Sequence, residues 1–148
     1  MPKQDTSGVH IWLIMMKTFL SLRANVEKSM RGCQLGESDF RVLEVLLHKG
    51  AMPVNTIGPK VFLTTGSIST AVDRLHKKSL VSRIADDRDR RVHVVDLTPK
   101  GRALIARVFA AHAAEMEELA QVLTPAERLQ LIDSLKKLGK NAAQRLIT

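Results

Sequence analysis

Six consecutive charged residues, Asp86-Asp87-Arg88-Asp89-Arg90-Arg91, stand between two short runs rich in β-branched side chains, residues 80–85 and 92–97. Short, partly alternating β-branched runs read as strands, and a wholly charged segment between them cannot enter a core. The pattern predicts a β-hairpin whose tip carries guanidiniums into solvent. It excludes a long helix across this region and fixes the frame for what precedes it.

The stretch before the hairpin has helical spacing. Ile68, Ala71, Val72 and Leu75 fall on one face and are expected to meet a core. Thr65, Ser67, Ser69, Thr70 and Arg74 point elsewhere, and Thr64-Thr65 supplies the cap. A helix whose outer face bears short hydroxyls and one Arg can approach a base edge or a phosphate closely. With the hairpin beside it, this suggests a winged helix-turn-helix, the helix in a major groove and the hairpin as its wing. Arg88 and Arg90 suit a narrow minor groove, where negative potential is focused. Arg74 is expected at a base edge or a phosphate.

Taken in order, the chain begins with a long amphipathic helix from about residue 8 to 31. Trp12, Met15, Met16, Phe19, Leu22, Val26 and Met30 recur at steps of three and four, and Gly32 stops it. Gly36 or Ser38 caps the next helix, which buries Phe40, Leu43, Leu46 and Leu47 and ends at Lys49-Gly50. Pro53 suits the first position of a short third helix, with Ile57 and Val61 inward. Thr98-Pro99 starts a helix striped with Leu104, Ile105, Val108, Phe109, His112, Met116, Leu119 and Leu123. Thr124-Pro125-Ala126-Glu127 is a capping box opening a last helix, with Leu129, Ile132, Leu135, Leu138, Ala142 and Leu146 on one side.

The expected fold is therefore mainly α with a small β-hairpin wing (α+β). One domain spans residues 1–148, with a winged lobe at 36–98 and a dimerisation lobe built from 8–32 and 99–147. A helix of about 24 residues spans roughly 36 Å, more than a small lobe covers, so the stripes on the end helices point to a second copy.

Charge supports the same partner. The chain has 148 residues, 23 Lys and Arg against 15 Asp and Glu, and a net charge of +8. Such a balance favours a polyanion, here double-stranded DNA. Aromatics make up 3% of residues, with no Tyr, which argues against single-strand binding on stacking platforms. The wholly polar wing argues against an architectural protein that wedges apolar side chains into DNA. The longest apolar run, residues 11–16, is far short of the roughly 20 residues of a membrane span. A lone Cys33 fits a reducing cytoplasm.

The residues at the joints resemble a known family. Leu75-His76-Lys77-Lys78-Ser79-Leu80-Val81, the wing run, and Leu97-Thr98-Pro99-Lys100-Gly101 are similar to the corresponding parts of MarR (multiple antibiotic resistance regulator) winged-helix transcription factors. The resemblance covers nearly the whole chain. It implies a homodimeric regulator, typically a repressor, on a pseudo-palindromic operator, released by small phenolic or lipophilic effectors or by thiol oxidation. It also implies an Asp89–Arg91 pair holding the wing. Leu46-Leu47-His48-Lys49-Gly50 with Ile57-Gly58 looks like the branch answering quinone-like or oxidising compounds. One departure is Ser79, where the family usually has Gly at the helix end; a left-handed Ser there costs roughly 1 kcal/mol.

Trp12, Met16, Phe19 and His112 are candidates for an effector pocket, weighed against plain core or interface packing. Cys33, near Lys28 and Arg31, is the candidate for a redox-responsive regulator or a thiol enzyme, weighed against an idle thiol. No nucleophile–base pairing, phosphate loop or metal-ligand spacing among His48, His76, His93 and His112 is apparent, so no catalytic residue, metal site or cofactor is expected.

Overall fold

The computed structural model describes residues 3–61 and 63–147. Close contacts divide the chain into two compact units, Met1–His112 and Ala113–Thr148, with the boundary inside the fifth helix.

In the first unit, α1 (Gly8–Arg31) is capped by Ser7, whose hydroxyl accepts from the His10 N–H at 3.2 Å. Its apolar stripe is bare for most of its length. Met30 alone is buried, while Trp12, Met15, Met16, Phe19 and Leu22 are each 37% or more exposed. Of the two candidate caps for α2 (Glu37–Lys49), Gly36 is the cap, and Ser38 lies within the first turn. The helix ends at Gly50, whose φ of +81° is a backbone that side chains rarely adopt.

A third strand was not expected. Pro53 does not open the short helix; it belongs to β1 (Met52–Pro53), and α3 (Val54–Val61) begins one residue later. The strand order is β1, then β3 (His93–Leu97), then β2 (Val81–Ala85), antiparallel throughout. Met52 pairs with Val95 and Val81 with Leu97. The physical reason is that Pro lacks only a donor, and an edge strand has an outer side that needs none.

The core forms where the expected faces meet. Ile68, Ala71, Val72 and Leu75 of α4 (Thr65–Lys77) are all at most 1% exposed. They pack with Val42, Leu43 and Leu46 of α2, Ile57 of α3, Val95 of β3, and Ile105 and Val108 of α5 (Pro99–Ala120). Leu47 is only partly buried, and Val42, not expected inside, is fully buried.

The end of α4 is a Schellman turn. The Leu80 N–H donates to the Leu75 carbonyl at 2.9 Å and the Ser79 N–H to the His76 carbonyl at 3.0 Å. This requires Ser79 in the left-handed region, with φ of +60°. Ser79→Gly is therefore expected to stabilise the protein by about 1 kcal/mol, raising the melting temperature by about 2–4 °C. Thermal denaturation checks this; an unchanged or lower midpoint would mean that Ser79 carries no strain.

The same turn receives the start of α5. The Thr98 N–H donates to the Leu80 carbonyl at 3.1 Å, and the Thr98 hydroxyl donates to the Ser79 carbonyl at 2.7 Å. The Gly101 N–H donates in turn to the Thr98 hydroxyl oxygen at 3.0 Å. Gly101 lies so close to Leu80 that an added Cβ would fall 1.9 Å from its carbonyl oxygen.

In the second unit, Thr124 and Glu127 complete the expected capping box at the start of α6 (Pro125–Arg145). No described residue of α6 is buried within the single chain. No helix among the described residues is long and apolar enough to cross a membrane.

Candidate nucleic-acid interface

The outer face of α4 is assembled from its cap forward. Thr64 stands in extended conformation and its hydroxyl oxygen accepts from the Ser67 N–H at 3.2 Å, satisfying an open amide of the first turn. The Thr64 hydroxyl donates to the Ser67 oxygen at 3.0 Å. The Thr70 hydroxyl turns back to donate to the Gly66 carbonyl at 2.9 Å. Thr65, Ser67, Ser69, Thr70 and Arg74 are all exposed, so the structure brings together on one helix the hydroxyls singled out in the sequence. The buried row beneath them holds that face outward.

Arg74 is not an unengaged cation. Its Nη2 donates to Asp39 Oδ1 at 2.7 Å and its Nε to the same oxygen at 3.2 Å. The hydrogen bonds to Asp39 raise the Arg74 pKa above its ordinary value, so it stays charged. The neighbouring Asp73 pairs with Arg83 of β2 at 2.5 Å. Two adjacent residues of α4 are thus tied, one to α2 and one to the wing. Asp39 was missed in the sequence because an acid in a helix first turn reads as ordinary dipole complementation.

The wing tip is shaped by its carboxylates. Asp86 Oδ1 accepts from the Arg88 N–H and Asp89 Oδ1 from the Arg91 N–H, both at 3.0 Å. Backbone bonds from the Asp86 N–H to the Val92 carbonyl and from the Val92 N–H to the Asp89 carbonyl close the loop. The Asp and Asn side chains in such turns stand in for backbone acceptors. Arg91 Nε lies 3.6 Å from Asp89 Oδ1, with the Arg91 side chain 95% exposed. Arg88 and Arg90 are exposed, and neither forms an ion pair among the described residues. Between α3, α4 and the hairpin runs a cleft of about 500 Å³, bordered by Thr65, Ser69, Arg83, Arg91 and His93. Beside those polar groups its lining is largely apolar, with Val54, Pro59, Leu63, Ile68, Val72 and Val92.

Of the candidate pocket residues, Phe19 and His112 share a small cavity of about 220 Å³ with Val26, Phe40, Arg23 and Arg41. Trp12 and Met16 do not line it; Trp12 is 61% exposed on α1. His112 meets the Phe40 ring edge-on at 5.1 Å, and its enclosed Nδ1 has no partner among the described residues. Arg23 and Arg41 both pair with Glu37, the former at 2.9 Å. Cys33 is half-buried against the core, just after α1. Among the described residues no group of three or more His, Cys, Asp or Glu side chains is placed to hold a metal ion.

The comparisons agree with this geometry. Residues 35–93, which run from α2 through β1, α3, α4, β2 and the wing loop to the first residue of β3, match the model of the MarR family. The HTH-type transcriptional regulator MhqR of Bacillus subtilis is 37% identical over 137 residues, covering 93% of this chain and 94% of that protein. A MarR-family transcriptional regulator from Silicibacter pomeroyi, solved by crystallography, is 31% identical with a TM-score of 0.75, covering 86% of each chain. Bordetella bronchiseptica BpsR, whose DNA binding is regulated by 6-hydroxynicotinic acid, shares the fold at 23% identity and a TM-score of 0.79, over 88% of this chain and 98% of that one. With a winged lobe, an exposed hydroxyl-bearing helix and relatives matched over nearly its full length, the chain belongs to the MarR family of DNA-binding transcriptional regulators.

Proposed function

We propose that the chain is an effector-responsive repressor that binds a pseudo-palindromic operator as a homodimer. The observation that carries this reading is the α4 face: Thr65, Ser67, Ser69 and Thr70 lie exposed over a row of side chains at most 1% exposed. A rigid helix with short outward side chains can enter a major groove without steric conflict. Two such helices, one per subunit, read two half-sites. Arg88 and Arg90 at the wing tips enter the flanking minor grooves, where Arg is favoured by narrow, strongly negative geometry. The bare apolar stripe on α1 and the exposed Leu and Ile residues of α6 supply the surface that a second copy covers.

The effector belongs in the cavity around Phe19, Phe40 and His112. Its apolar rings and the neighbouring Arg23 and Arg41 suit a small aromatic with a phenol or carboxylate group. BpsR responds to an aromatic acid of this kind.

Mapping of genomic binding sites tests the regulator reading: discrete sites with a two-fold motif are expected, and a uniform distribution would overturn it. The wing is tested separately. Arg90→Ala is expected to weaken binding on most sequences and to lower the salt slope by about one unit, with little change in base preference within a half-site. Titrations at two salt concentrations on the mapped operator and its single-base variants give the answer. Binding equal to the parent on every sequence at both salts would remove Arg90 from the interface.

A further inference from the structure

Asp39 is the one buried polar or charged residue among the described residues, 3% exposed in the first turn of α2. A carboxylate withdrawn from water is costly unless paired, and this one is paired with a residue 35 positions away. That partner, Arg74, stands on the outer face of α4, one turn beyond Thr70 and two beyond Ser67, with its side chain 45% exposed. The guanidinium therefore spans the boundary between the core and the hydroxyl face. Nε and Nη2 are turned inward to Asp39 Oδ1, at 3.2 and 2.7 Å.

Arg74 is the first basic residue along that face; Lys77, exposed one turn further on, and Lys78 follow at the end of the helix. An unpaired Arg there would be drawn to the phosphates of any duplex. We propose that Asp39 is a positioning residue that sets DNA selectivity: by holding Arg74 it cancels one charge beside the hydroxyl face, so binding there rests on short-range fit rather than on attraction to any duplex. This rests on the DNA-binding reading of α4 given above. Asp39 would act entirely through Arg74, never touching DNA itself.

The test uses the full chain with two probes, a duplex recovered by in vitro selection with the parent protein and a scrambled duplex of equal length. Asp39→Asn keeps the shape and removes the charge. It is expected to bind the scrambled duplex several-fold more tightly, to steepen the salt slope by about one unit, and to lower the selected-to-scrambled ratio by a similar factor. In an Arg74→Ala background the same change is expected to have no such effect. A slope and ratio equal to the parent's, or an effect that persists without Arg74, overturns the proposal. Arg74→Lys is the second variant and decides the matter if Asp39→Asn does not fold. It keeps the charge and loses the planar fork, so its base preference is expected to match the parent's. A change of preference at one base pair would show that Arg74 reads a base, and would overturn the proposal. A parent that recovers no preferred duplex counts against the regulator reading instead, while the slope comparison on scrambled DNA still judges the pairing.

Discussion

Gly101→Ala is expected to destabilise the winged unit by about 3 kcal/mol or more, lowering the melting temperature by about 10 °C. The added methyl would lie 1.9 Å from the Leu80 carbonyl oxygen and 2.8 Å from its carbon. Backbone, unlike the end of a flexible side chain, cannot move aside without a cost elsewhere. Here the cost is specific. The Leu80 carbonyl accepts from the Thr98 N–H, and Leu80 itself completes the Schellman turn of α4. Displacing α5 by the needed distance breaks the Thr98 bonds to both Ser79 and Leu80. Thermal denaturation reads the loss, and amide exchange at Thr98, Leu80 and Gly101 locates it. A midpoint within a degree or two of the parent would mean that the helix start slides freely and that the close approach is incidental. The contrast with Ser79→Gly is informative, because two substitutions at one joint are expected to move stability in opposite directions. One removes a Cβ from a left-handed backbone; the other inserts a Cβ into an occupied space.

This joint also shows where sequence reasoning reaches and where it stops. The elements themselves follow from local rules. The α4 face, the hairpin and the capping box of α6 each depend on residues within a turn or two of one another, and period, cap and turn chemistry describe such neighbours. Gly101 entered the reading only through the Leu-Thr-x-x-Gly resemblance, because its partner, Leu80, is a backbone group 21 positions earlier in the sequence. Asp39 and Arg74 illustrate the same limit with charges. Each has an ordinary local explanation, dipole complementation for one and a surface cation for the other, although the steps of four and seven from Asp39 to Leu43 and Leu46 place it on the buried face of α2. Pro53 failed for a different reason. A fixed φ and a missing donor suit both a helix start and an edge strand, and the choice between them was made by Val94 and Val95, some forty residues away. Of the residues named as pocket candidates, Phe19 and His112 line one cavity, while Trp12 lies nearer the start of α1 and is exposed, with nothing in the spacing to separate them.

Leu135→Asp and Leu138→Asp, each alone, are expected to convert a micromolar dimer into monomer and to abolish tight operator binding with it. Within the single chain no described residue of α6 is buried, and Leu131, Ile132, Leu135 and Leu138 are 42–46% exposed along the helix. On α1 the run from Trp12 through Leu22 is equally bare. A monomer seldom leaves apolar stripes of this length to water, since each fully covered Leu contributes roughly 1.5–3 kcal/mol. An Asp placed in such a contact loses that contribution and must also shed water or keep the contact open, which together weakens association by about a hundredfold or more. DNA binding follows because two half-sites held by one dimer combine two modest affinities, and a monomer retains only one. Light scattering at micromolar concentration reads the first effect and titration of the mapped operator the second. The pairing of outcomes is what matters. A monomer that still binds the full operator tightly would separate assembly from recognition, and a dimer that survives both substitutions would place the second copy elsewhere than on α6. The helix itself is expected to persist in either case: the Thr124–Glu127 box holds its start, with the Thr124 N–H donating to Glu127 at 2.8 Å, and an exposed Asp in mid-helix costs only a few tenths of a kcal/mol in propensity.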